Sequence, residues 1–327
     1  MVVSFYKNMR RKLAVIKLEN VTKKYGKFEA LKGISFEVNE GEVVGLLGPN
    51  GAGKSTTMNI ITGFIEQTSG TVIVNGYDVQ KKPSKAKKSI GYMPEGVPLY
   101  NDLTVKEFIK YMAELKGVPK KQIKENVEKA LKDAGLTEVK NRLTRNLSRG
   151  YKQRVSLAGT LVSNPKVIIL DEPTVGLDPK QVAEIREVIK NLGKEHTVIL
   201  SSHILSEVSQ ICNRVIIINK GEIVAIDTPE NLEKKVSNKN LIYITVEDNE
   251  NKVIGMKEKI QGIKSINLEK ENEDGTKQYV IEVEDSLDIR KTIFADFAKE
   301  NLAIFEMKKA DTTLEEAFMK LIEKGDK

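Results

Sequence analysis

Short apolar runs alternate with amphipathic stretches along much of the chain. Runs such as EVVGLLG and VIIL are almost wholly apolar, which is typical of buried strands. The stretches between several of these runs have helical character. This alternation predicts a parallel β-sheet covered by helices, which is an α/β fold. The predicted buried strands are 42–48, 167–170, 197–202 and 214–219, and helices are expected over 180–192 and 204–211.

Two segments near the N-terminus follow a different pattern, in which apolar and polar positions alternate loosely. Residues 16–24 and 34–38 are predicted as two strands joined through the stretch YGKFEALKG. Residues 69–79, SGTVIVNGYDV, carry turn residues at both ends and favour a hairpin.

From residue 102 to 135 the apolar positions change to a period of 3.6, which indicates two amphipathic helices. Gly117 and Gly135 stand where these helices are expected to end. The pattern predicts a helical insert at about residues 96–155 inside the α/β domain. The expected buried faces are Leu103, Val105, Phe108, Ile109, Met112 and Leu115 in the first helix, and Ile123, Val127, Ala130 and Leu131 in the second.

A second domain is expected after the polar segment 228–240, which is interpreted as a linker. Strand and helix patterns in the final part follow the order βαββαβ, with the two central strands around ENEDG and a terminal helix at TTLEEAFMKLIEK. This order favours a small ferredoxin-like α+β domain over 241–327. The domains are then an N-terminal extension 1–15, a main domain 16–227, the linker and this accessory domain.

Charge is distributed unevenly between these parts. Residues 228–327 contain 17 Lys and Arg and 22 Asp and Glu, so this part is acidic. Residues 1–227 contain 36 Lys and Arg and 24 Asp and Glu, so this part is basic. The basic N-terminal part suits a polyanion such as a nucleotide, a nucleic acid or an anionic membrane face. A solvated surface rich in lysine is the other interpretation, because the lysines are dispersed.

Two further features bear on where the chain works. No apolar run approaches the ~18–20 residues that span a bilayer, and Lys17 interrupts the N-terminal apolar stretch, so neither a membrane span nor a secretory signal is expected. The single cysteine, Cys212, excludes an internal disulfide and suits a reducing cytosol. We expect it to be a buried apolar side chain.

The stretch GLLGPNGAGKSTTMNI contains a phosphate-binding loop. Gly48, Gly53, Lys54 and Ser55 match the spacing G-x-x-x-x-G-K-[ST]. Backbone N–H groups in such a loop, together with the positive end of the following helix, bind phosphate oxygens. Lys54 would place a cation against the outer phosphates, and the Ser55 hydroxyl would be a ligand for Mg²⁺.

An acidic pair follows the strand VIIL. Asp171 ends the strand at the edge where such sheets bind ligands, and would hold Mg²⁺ through water. Glu172 could orient a water molecule or accept its proton. Of the three classes that use this loop, GTP switches are disfavoured because NKGE (219–222) lacks the Asp of their base-reading motif. Small-molecule kinases are also disfavoured, because they rarely need a large helical insert or a Glu after the Asp that binds the metal. The third class, ATP-driven machines, is favoured.

With the stretch NLSRGYKQRVSLAGTL just before VIILDEP, the chain resembles the ATP-binding subunit of ABC transporters over about residues 16–227. The resemblance implies that Tyr25 stacks on adenine and that His203 contacts the γ-phosphate. It also implies that Ser148 and Gly150 of the signature motif, and Asp178 of the D-loop, take part in nucleotide binding. The Walker A loop would bind ATP through Gly48, Pro49, Asn50, Gly51, Ala52, Gly53, Lys54, Ser55 and Thr56.

The sequence departs from the family pattern at two places. Arg149 and Tyr151 replace the usual Gly and Gln of the signature, and Arg149 either helps to bind phosphate or is a solvated substitution. Glu95 stands where the Q-loop usually has Gln. A carboxylate can still ligate Mg²⁺ but adds negative charge, so we expect function to survive with altered metal dependence or rate. The other histidine, His196, is expected on the surface.

The resemblance also implies partners and a place in the cell. Two copies, or one copy and a paralogous ATPase, would pair head to tail around two ATP molecules and drive a membrane permease on a separate chain. The protein would then lie on the inner face of the cell membrane. The tail TTLEEAFMKL resembles those of exporter ATPases, so we expect an exporter. No nucleic-acid partner is expected, because the family members that act on ribosomes or DNA usually carry two nucleotide domains or long coiled coils. The alternatives are a soluble ABC ATPase acting on the ribosome or nucleic acid, and an importer ATPase.

Overall fold

The computed structural model describes residues 14–96, 99–236, 240–247, 252–272, 274–284 and 288–309. These residues form two compact units that divide between Pro229 and Glu230. Most of the predicted N-terminal extension and the predicted terminal helix with its exporter-like tail lie outside the described residues. Among the helices that are described, each is too short or too polar to traverse a lipid bilayer.

The first unit combines two sheets with several helices. Its strands are β1 (Ala14–Tyr25), β2 (Phe28–Asn39), β3 (Val43–Leu47), β4 (Ser69–Val74), β5 (Tyr77–Asp78), β6 (Ile90–Met93), β7 (Val167–Leu170), β8 (Thr197–Ser202), β9 (Arg214–Asn219) and β10 (Glu222–Asp227). Its helices are α1 (Lys54–Ile61), α2 (Pro83–Lys88), α3 (Val105–Leu115), α4 (Lys120–Asp133), α5 (Arg149–Leu161), α6 (Pro179–Leu192) and α7 (Leu205–Ser209).

The larger sheet has the strand order β10-β9-β3-β8-β7-β6. Its strands pair in parallel, except β10, which pairs antiparallel with β9 at the edge. Every residue of β3, β7 and β8 is buried, which explains why their sequences are largely apolar rather than alternating. The polar exceptions stand at the ends of β8, at Thr197, Ser201 and Ser202. The predicted α/β fold is confirmed. The carboxyl ends of β3, β7 and β8 meet at one edge of this sheet.

The smaller sheet is antiparallel, in the order β2-β1-β4-β5. The predicted connection between its first two strands was too long. Both strands continue through most of that stretch, and only Gly26 and Lys27 lie between them. Ala30 and Leu31 are adjacent and both buried, so they break the alternating pattern that would have revealed the strand. Tyr25 and Phe28 therefore face each other across a tight hairpin.

The helical insert comprises α3, α4 and α5. The Thr104 hydroxyl accepts a hydrogen bond from the Glu107 N–H, and the Glu107 carboxylate accepts one from the Thr104 N–H, which caps α3. The insert was predicted correctly, but Leu115 was wrongly placed on its buried face. The buried positions Val105, Ile109 and Ala113 recur every four residues, so Leu115 points away and is 62% exposed.

Part of the segment predicted as a linker is helical. Helix α8 (Pro229–Val236) begins with proline and has Glu230 in its first turn, both favourable at a helix start. Leu232 is 1% exposed, so the helix buries at least one apolar side chain. The polar composition of the segment concealed this short helix.

The second unit consists of β11 (Asn240–Val246), α9 (Lys252–Lys259), β12 (Ile263–Glu271), β13 (Lys277–Val283), α10 (Arg290–Lys299) and β14 (Ile304–Lys309). The strands form an antiparallel sheet in the order β12-β13-β11-β14. Tyr279, Ile281 and Phe297 are among the residues of its own apolar core. Its elements follow the βαββαβ order that the sequence predicts.

Helix α7 packs closely on β3, and this contact requires glycine at position 45. A Cβ built on Gly45 would lie 2.1 Å from Val208 Cγ1 and 3.2 Å from Cys212 Sγ. Val208 is β-branched and has little rotamer freedom in a helix, so it cannot easily move aside. Cys212 is buried as expected, and burial raises the pKa of its thiol.

Gly45→Ala is therefore expected to reduce the free energy of unfolding by about 1–3 kcal/mol, because it overpacks the contact between β3 and α7. Denaturant unfolding measures this loss. Gly255→Ala is the matched control, since a Cβ there meets no atom within 4 Å and alanine favours the helix α9. Equal stability of the Gly45 variant and the wild type would contradict the close packing.

Candidate functional site

The loop between β3 and α1 is a tight turn that two glycines permit. A Cβ on Gly48 would lie 2.3 Å from the Ile218 carbonyl oxygen, so no larger residue fits. Gly53 has a φ of +109° and forms the N-cap of α1. Only glycine adopts this backbone conformation readily. The loop leads directly into α1. The first N–H groups of a helix have no partner within the helix, so they can bind an anion here.

Lys54, the first residue of α1, is buried within this loop. Its Nζ donates to the carbonyl oxygens of Gly48, at 2.8 Å, and Pro49, at 3.3 Å. The same Nζ lies 3.4 Å from Oε1 of Glu172. Several oxygen contacts hold the ammonium group beside the loop, where it adds a positive charge to that of the helix end.

The ends of β7 and β8 are joined by a hydroxyl group that the sequence reasoning missed. Ser201 Oγ donates to Asp171 Oδ1 at 2.6 Å and accepts the Glu172 N–H at 2.8 Å. Ser55 Oγ, from α1, lies 3.4 Å from the same Oδ1 atom of Asp171. Hydroxyl groups from α1 and β8 therefore both contact the Asp171 carboxylate, which follows β7. A polar SS pair at the end of an apolar strand was the only signal for Ser201 in the sequence.

Glu172 is held in an uncommon conformation. Its φ is +47°, in the left-handed region that non-glycine residues rarely adopt. The Ser201 hydroxyl fixes its N–H, and His203 Nδ1 lies 3.1 Å from Oε2. Such strain of about 1–3 kcal/mol persists where surrounding contacts enforce it, and is concentrated at functional sites. Lys54, Glu172 and His203 form a continuous chain of charged and polar groups.

An open cavity of about 350 Å³ lies over these groups. Three of its lining residues, Phe28, Ala30 and Val175, were not predicted. Phe28 is 64% exposed and faces Tyr25 across the hairpin, so the cavity has two aromatic side chains at one side. The predicted residues that line it are Tyr25, Pro49, Asn50, Gly51, Gly53, Lys54, Ser55, Thr56, Glu95, Glu172 and His203.

The oxygen atoms at this cavity suit magnesium. The candidate donors are Ser55, Asp171 and Glu95, which offer hard oxygen ligands. Within the described ranges no three Asp, Glu, His or Cys side chains cluster into a metal site. Mg²⁺ does not require such a cluster, because it typically uses one or two protein oxygens together with phosphates. Burial and the Asp171 charge raise the pKa of Tyr92 to about 12, so this phenol stays neutral beside the site.

Six predicted residues do not line this cavity. Gly48 and Ala52 are part of the phosphate-binding loop itself, and Asp171 is buried with its carboxylate 3.4 Å from the Ser55 hydroxyl. The other three belong to a different region. Ser148 caps α5, with its Oγ accepting the Tyr151 N–H, and is exposed. Asp178 caps α6 by accepting the Gln181 N–H at 2.9 Å. Gly150 packs against the Gln181 side chain, where a Cβ would come within 2.9 Å. These residues lie together around the starts of α5 and α6.

The prediction for His196 was wrong. The side chain is buried, and its Nδ1 lies 2.7 Å from the Pro165 carbonyl oxygen. This hydrogen bond joins the residue before β8 to the turn that precedes β7. His196 therefore stabilises the opposite edge of the sheet from the cavity.

The comparison with known proteins gives the family. The family model for the ABC transporter matches residues 31–175. The linearmycin resistance ATP-binding protein LnrL of Bacillus subtilis is 39% identical over 71% of this chain and 75% of its own length. An uncharacterised ABC transporter ATP-binding protein of the same organism, YxlF, is 32% identical over 94% of this chain and 99% of its own.

Solved structures agree with these matches. The ATP-binding cassette MJ0796, in a dimeric post-hydrolysis state bound to ADP and Pi, is 30% identical with a TM-score of 0.58, over 65% of this chain and 98% of that one. The chain belongs to the ABC transporter family as one of its ATP-binding proteins. It has the P-loop fold of the ABC ATPases, and its enzymatic activity is ATP hydrolysis.

Ser201→Ala would leave a buried Glu172 N–H and an Asp171 oxygen without their partner. We expect the free energy of unfolding to fall by about 1–3 kcal/mol. ATP hydrolysis should fall by about ten- to a hundredfold, because Glu172 is no longer held in place. Ser84→Ala, at an exposed serine, is the control for denaturant unfolding and a phosphate-release assay. Unchanged hydrolysis would show that Ser201 does not position Glu172.

Proposed function

We propose that this chain is the ATP-hydrolysing subunit of an exporter, working as a head-to-tail dimer beneath a separate membrane permease. The observation that carries the proposal is the division of the site residues into two groups. Lys54, Glu172 and His203 line one cavity, whereas Ser148 and Gly150 lie outside it. A second copy would bring its own Ser148 to the exposed side of this cavity.

The triphosphate would lie along the loop before α1. Backbone N–H groups of Gly51 to Lys54 and the ammonium of Lys54 would bind the outer phosphates. Tyr25 and Phe28, both exposed at the cavity, would stack on the base. Bound Mg²⁺, held by Ser55, Asp171 and Glu95, would neutralise charge on the outer phosphates.

Hydrolysis would proceed by attack of a water oxygen on the γ-phosphorus, while the bond to the β–γ bridging oxygen breaks. Glu172 lies where it can orient this water and accept its proton. His203, 3.1 Å from the Glu172 carboxylate, can hold that side chain and donate to a γ-phosphate oxygen. Lys54 stabilises the charge that the leaving diphosphate acquires. The contacts of the Glu172 carboxylate with Lys54 and His203 hold it in advance, so little reorganisation would be needed.

Pairing of two copies under C2 symmetry would bury two ATP molecules. Each γ-phosphate would then contact both chains, so ATP stabilises the closed dimer and hydrolysis removes that stabilisation. The dimeric structure of the similar cassette MJ0796 with ADP and Pi supports this arrangement. Ser148 and Asp178 are exposed at the starts of α5 and α6, with Gly150 buried beside them, and this region would form the complementary surface.

Export and a permease partner are supported by less direct observations. The similar protein LnrL is a linearmycin resistance ATP-binding protein, and resistance suits removal of a toxic compound. The helical insert α3–α5 and the segment at Glu95 would transmit the opening and closing to the permease. The protein would then lie on the inner face of the membrane.

Glu172→Gln should bind ATP but hydrolyse it about 10²–10⁴-fold more slowly, since the amide cannot accept the proton of water. Light scattering with saturating Mg-ATP should detect a trapped dimer. Glu138→Gln, at an exposed glutamate, is the matched control and should hydrolyse ATP normally. A Glu172 variant that remains monomeric under these conditions would refute the head-to-tail mechanism.

Lys54→Ala should weaken ATP binding by about ten- to a hundredfold, the amount expected for a charged contact to phosphate. Isothermal titration calorimetry of the monomer measures this change. Lys121→Ala removes an exposed lysine from α4 and should leave the affinity unaltered. If both variants bind ATP like the wild type, the phosphate site has been assigned to the wrong loop.

A further inference from the structure

A second cavity, of about 420 Å³, lies on the first unit away from the nucleotide site. The described residues that line it are all different from those of the nucleotide cavity. One wall comes from α2 and the start of β6, and the other from the end of α3 and the start of α4. Because it reaches Ile90, the first residue of β6, it lies at the opposite edge of the parallel sheet from the carboxyl ends that carry the nucleotide site.

Three lysines give this cavity, which we call the lysine cleft, its charge. Lys87 and Lys88 come from the last turn of α2, and Lys116 is the C-cap residue of α3. Among the described residues that line the lysine cleft there is no Asp or Glu. In the described part of the chain, none of the three lysines forms an ion pair. The lysine cleft therefore concentrates positive charge that no carboxylate of the described chain neutralises by direct contact.

Lys116 is the most enclosed of the three lysines, since it is half-buried whereas the other two are exposed. Its Nζ donates to the Thr160 carbonyl oxygen at 3.4 Å, a long hydrogen bond, and it has no other acceptor among the described residues. An ammonium group has three donors, so two remain for a ligand or water. Burial lowers the pKa of Lys116 to about 8, as expected for a cation that leaves water without a counter-charge. An anion in the lysine cleft would supply the missing charge.

Packing between the surrounding elements forms the lysine cleft. Asn126 Nδ2 donates to the Val162 carbonyl oxygen at 2.9 Å, which fixes α4 against the end of α5. The end of α5 in turn packs on β6, because a Cβ built on Gly91 would lie only 2.9 Å from Thr160 Cγ2. The lysine cleft is therefore a cavity between packed elements, with Lys116 inside it, rather than a set of lysines on a flat surface.

Charge and size indicate the class of anion. A phosphate group carries about 1.5 to 2 negative charges at neutral pH, whereas a carboxylate carries one, so three ammonium groups match phosphate better. Lysine binds phosphate as a point charge. The N-cap of α4 is Pro119, which provides no side-chain hydrogen bond, so the first N–H groups of this helix add to the positive potential at the lysine cleft. A volume of about 420 Å³ suits a small molecule.

We propose that the lysine cleft binds the phosphate group of a small molecule, with Lys116 as the main contact and Lys87 and Lys88 at the rim. A bound phosphate would connect α2 to α3 and α4 of the helical insert. It would therefore restrain the part of the chain that, in the proposed function, transmits opening and closing to the permease. The binding site itself requires neither a dimer nor a permease, so the monomer is sufficient to test it.

Inorganic pyrophosphate is the probe for the test, and saturating ADP fills the nucleotide cavity throughout. Isothermal titration calorimetry should detect pyrophosphate binding that Lys116→Met weakens by about ten- to a hundredfold, because a charged contact is lost while the aliphatic stem is kept. Lys116→Arg keeps the charge and should bind pyrophosphate more tightly than Lys116→Met. Lys121→Ala removes an exposed lysine of α4 that does not line the lysine cleft, and this matched control should bind like the wild type.

Two further measurements locate the site. The double variant Lys87→Ala/Lys88→Ala should also weaken pyrophosphate binding by about tenfold or more. Both lysines are exposed, so this variant decides the question if circular dichroism melts show that Lys116→Met fails to fold. In hydrogen–deuterium exchange, pyrophosphate should slow exchange in residues 84–90 and 116–126 together, because these segments form the two walls.

Several results would overturn the proposal. Equal pyrophosphate affinity in the wild type, Lys116→Met and the double variant would show that the lysine cleft is not the site. Protection confined to residues 48–56 would place the probe at the nucleotide loop. Equal affinity for citrate, a carboxylate probe of similar charge, would exclude selectivity for phosphate.

A membrane surface is the other source of phosphate groups, and a flotation assay with phosphatidylglycerol vesicles tests it. Binding that depends on Lys116 but occurs only with vesicles, and not with pyrophosphate, would overturn the proposed small-molecule site. None of these results bears on the head-to-tail dimer, which the Glu172→Gln variant tests separately.

Discussion

The hydroxyl of Ser201 joins the two strand ends on which the site depends. It binds the Asp171 carboxylate and the Glu172 N–H at the same time, and both groups are buried. Buried polar groups of this kind are costly unless paired, so the network admits few alternative arrangements. Glu172 is thereby kept at a positive φ, with its carboxylate between Lys54 and His203. In the proposed mechanism, the contacts between the ends of β7 and β8 place Glu172 for hydrolysis before any nucleotide binds.

The predicted site residues of the first unit lie on two separate surfaces. The parallel sheet presents the loop before α1 and the ends of β7 and β8 at one edge. The starts of α5 and α6 carry Ser148, Arg149 and Asp178 outside that cavity. In the proposed mechanism, one triphosphate requires both surfaces, one from each chain. In the proposed dimer, ATP binding and closure of the two chains are coupled. Hydrolysis would then open the dimer, and this opening could move a membrane partner.

Much of this could be predicted, because its signals are local. Strands buried on both faces are mostly apolar, and the loop from Gly48 to Ser55 has a spacing that few other structures require. The errors arose where tertiary contacts outweigh local pattern. Adjacent burial of Ala30 and Leu31 concealed half of β2, and the polar composition of 228–240 concealed α8. Ser201 was missed because its partner Asp171 lies 30 positions away in the sequence, and Phe28 because the hairpin that places it opposite Tyr25 was not recognised.

The central claim is that one ATP molecule is bound by two chains. A crystal structure of the Glu172→Gln variant with Mg-ATP tests it most directly, through the distances from the γ-phosphate oxygens to Ser148 of each chain. We expect Ser148 Oγ of the second chain at hydrogen-bond distance, about 2.5–3.0 Å, with Lys54 of the first chain on the opposite side. A γ-phosphate contacted by one chain alone, with Ser148 of every neighbour turned away, would contradict the claim.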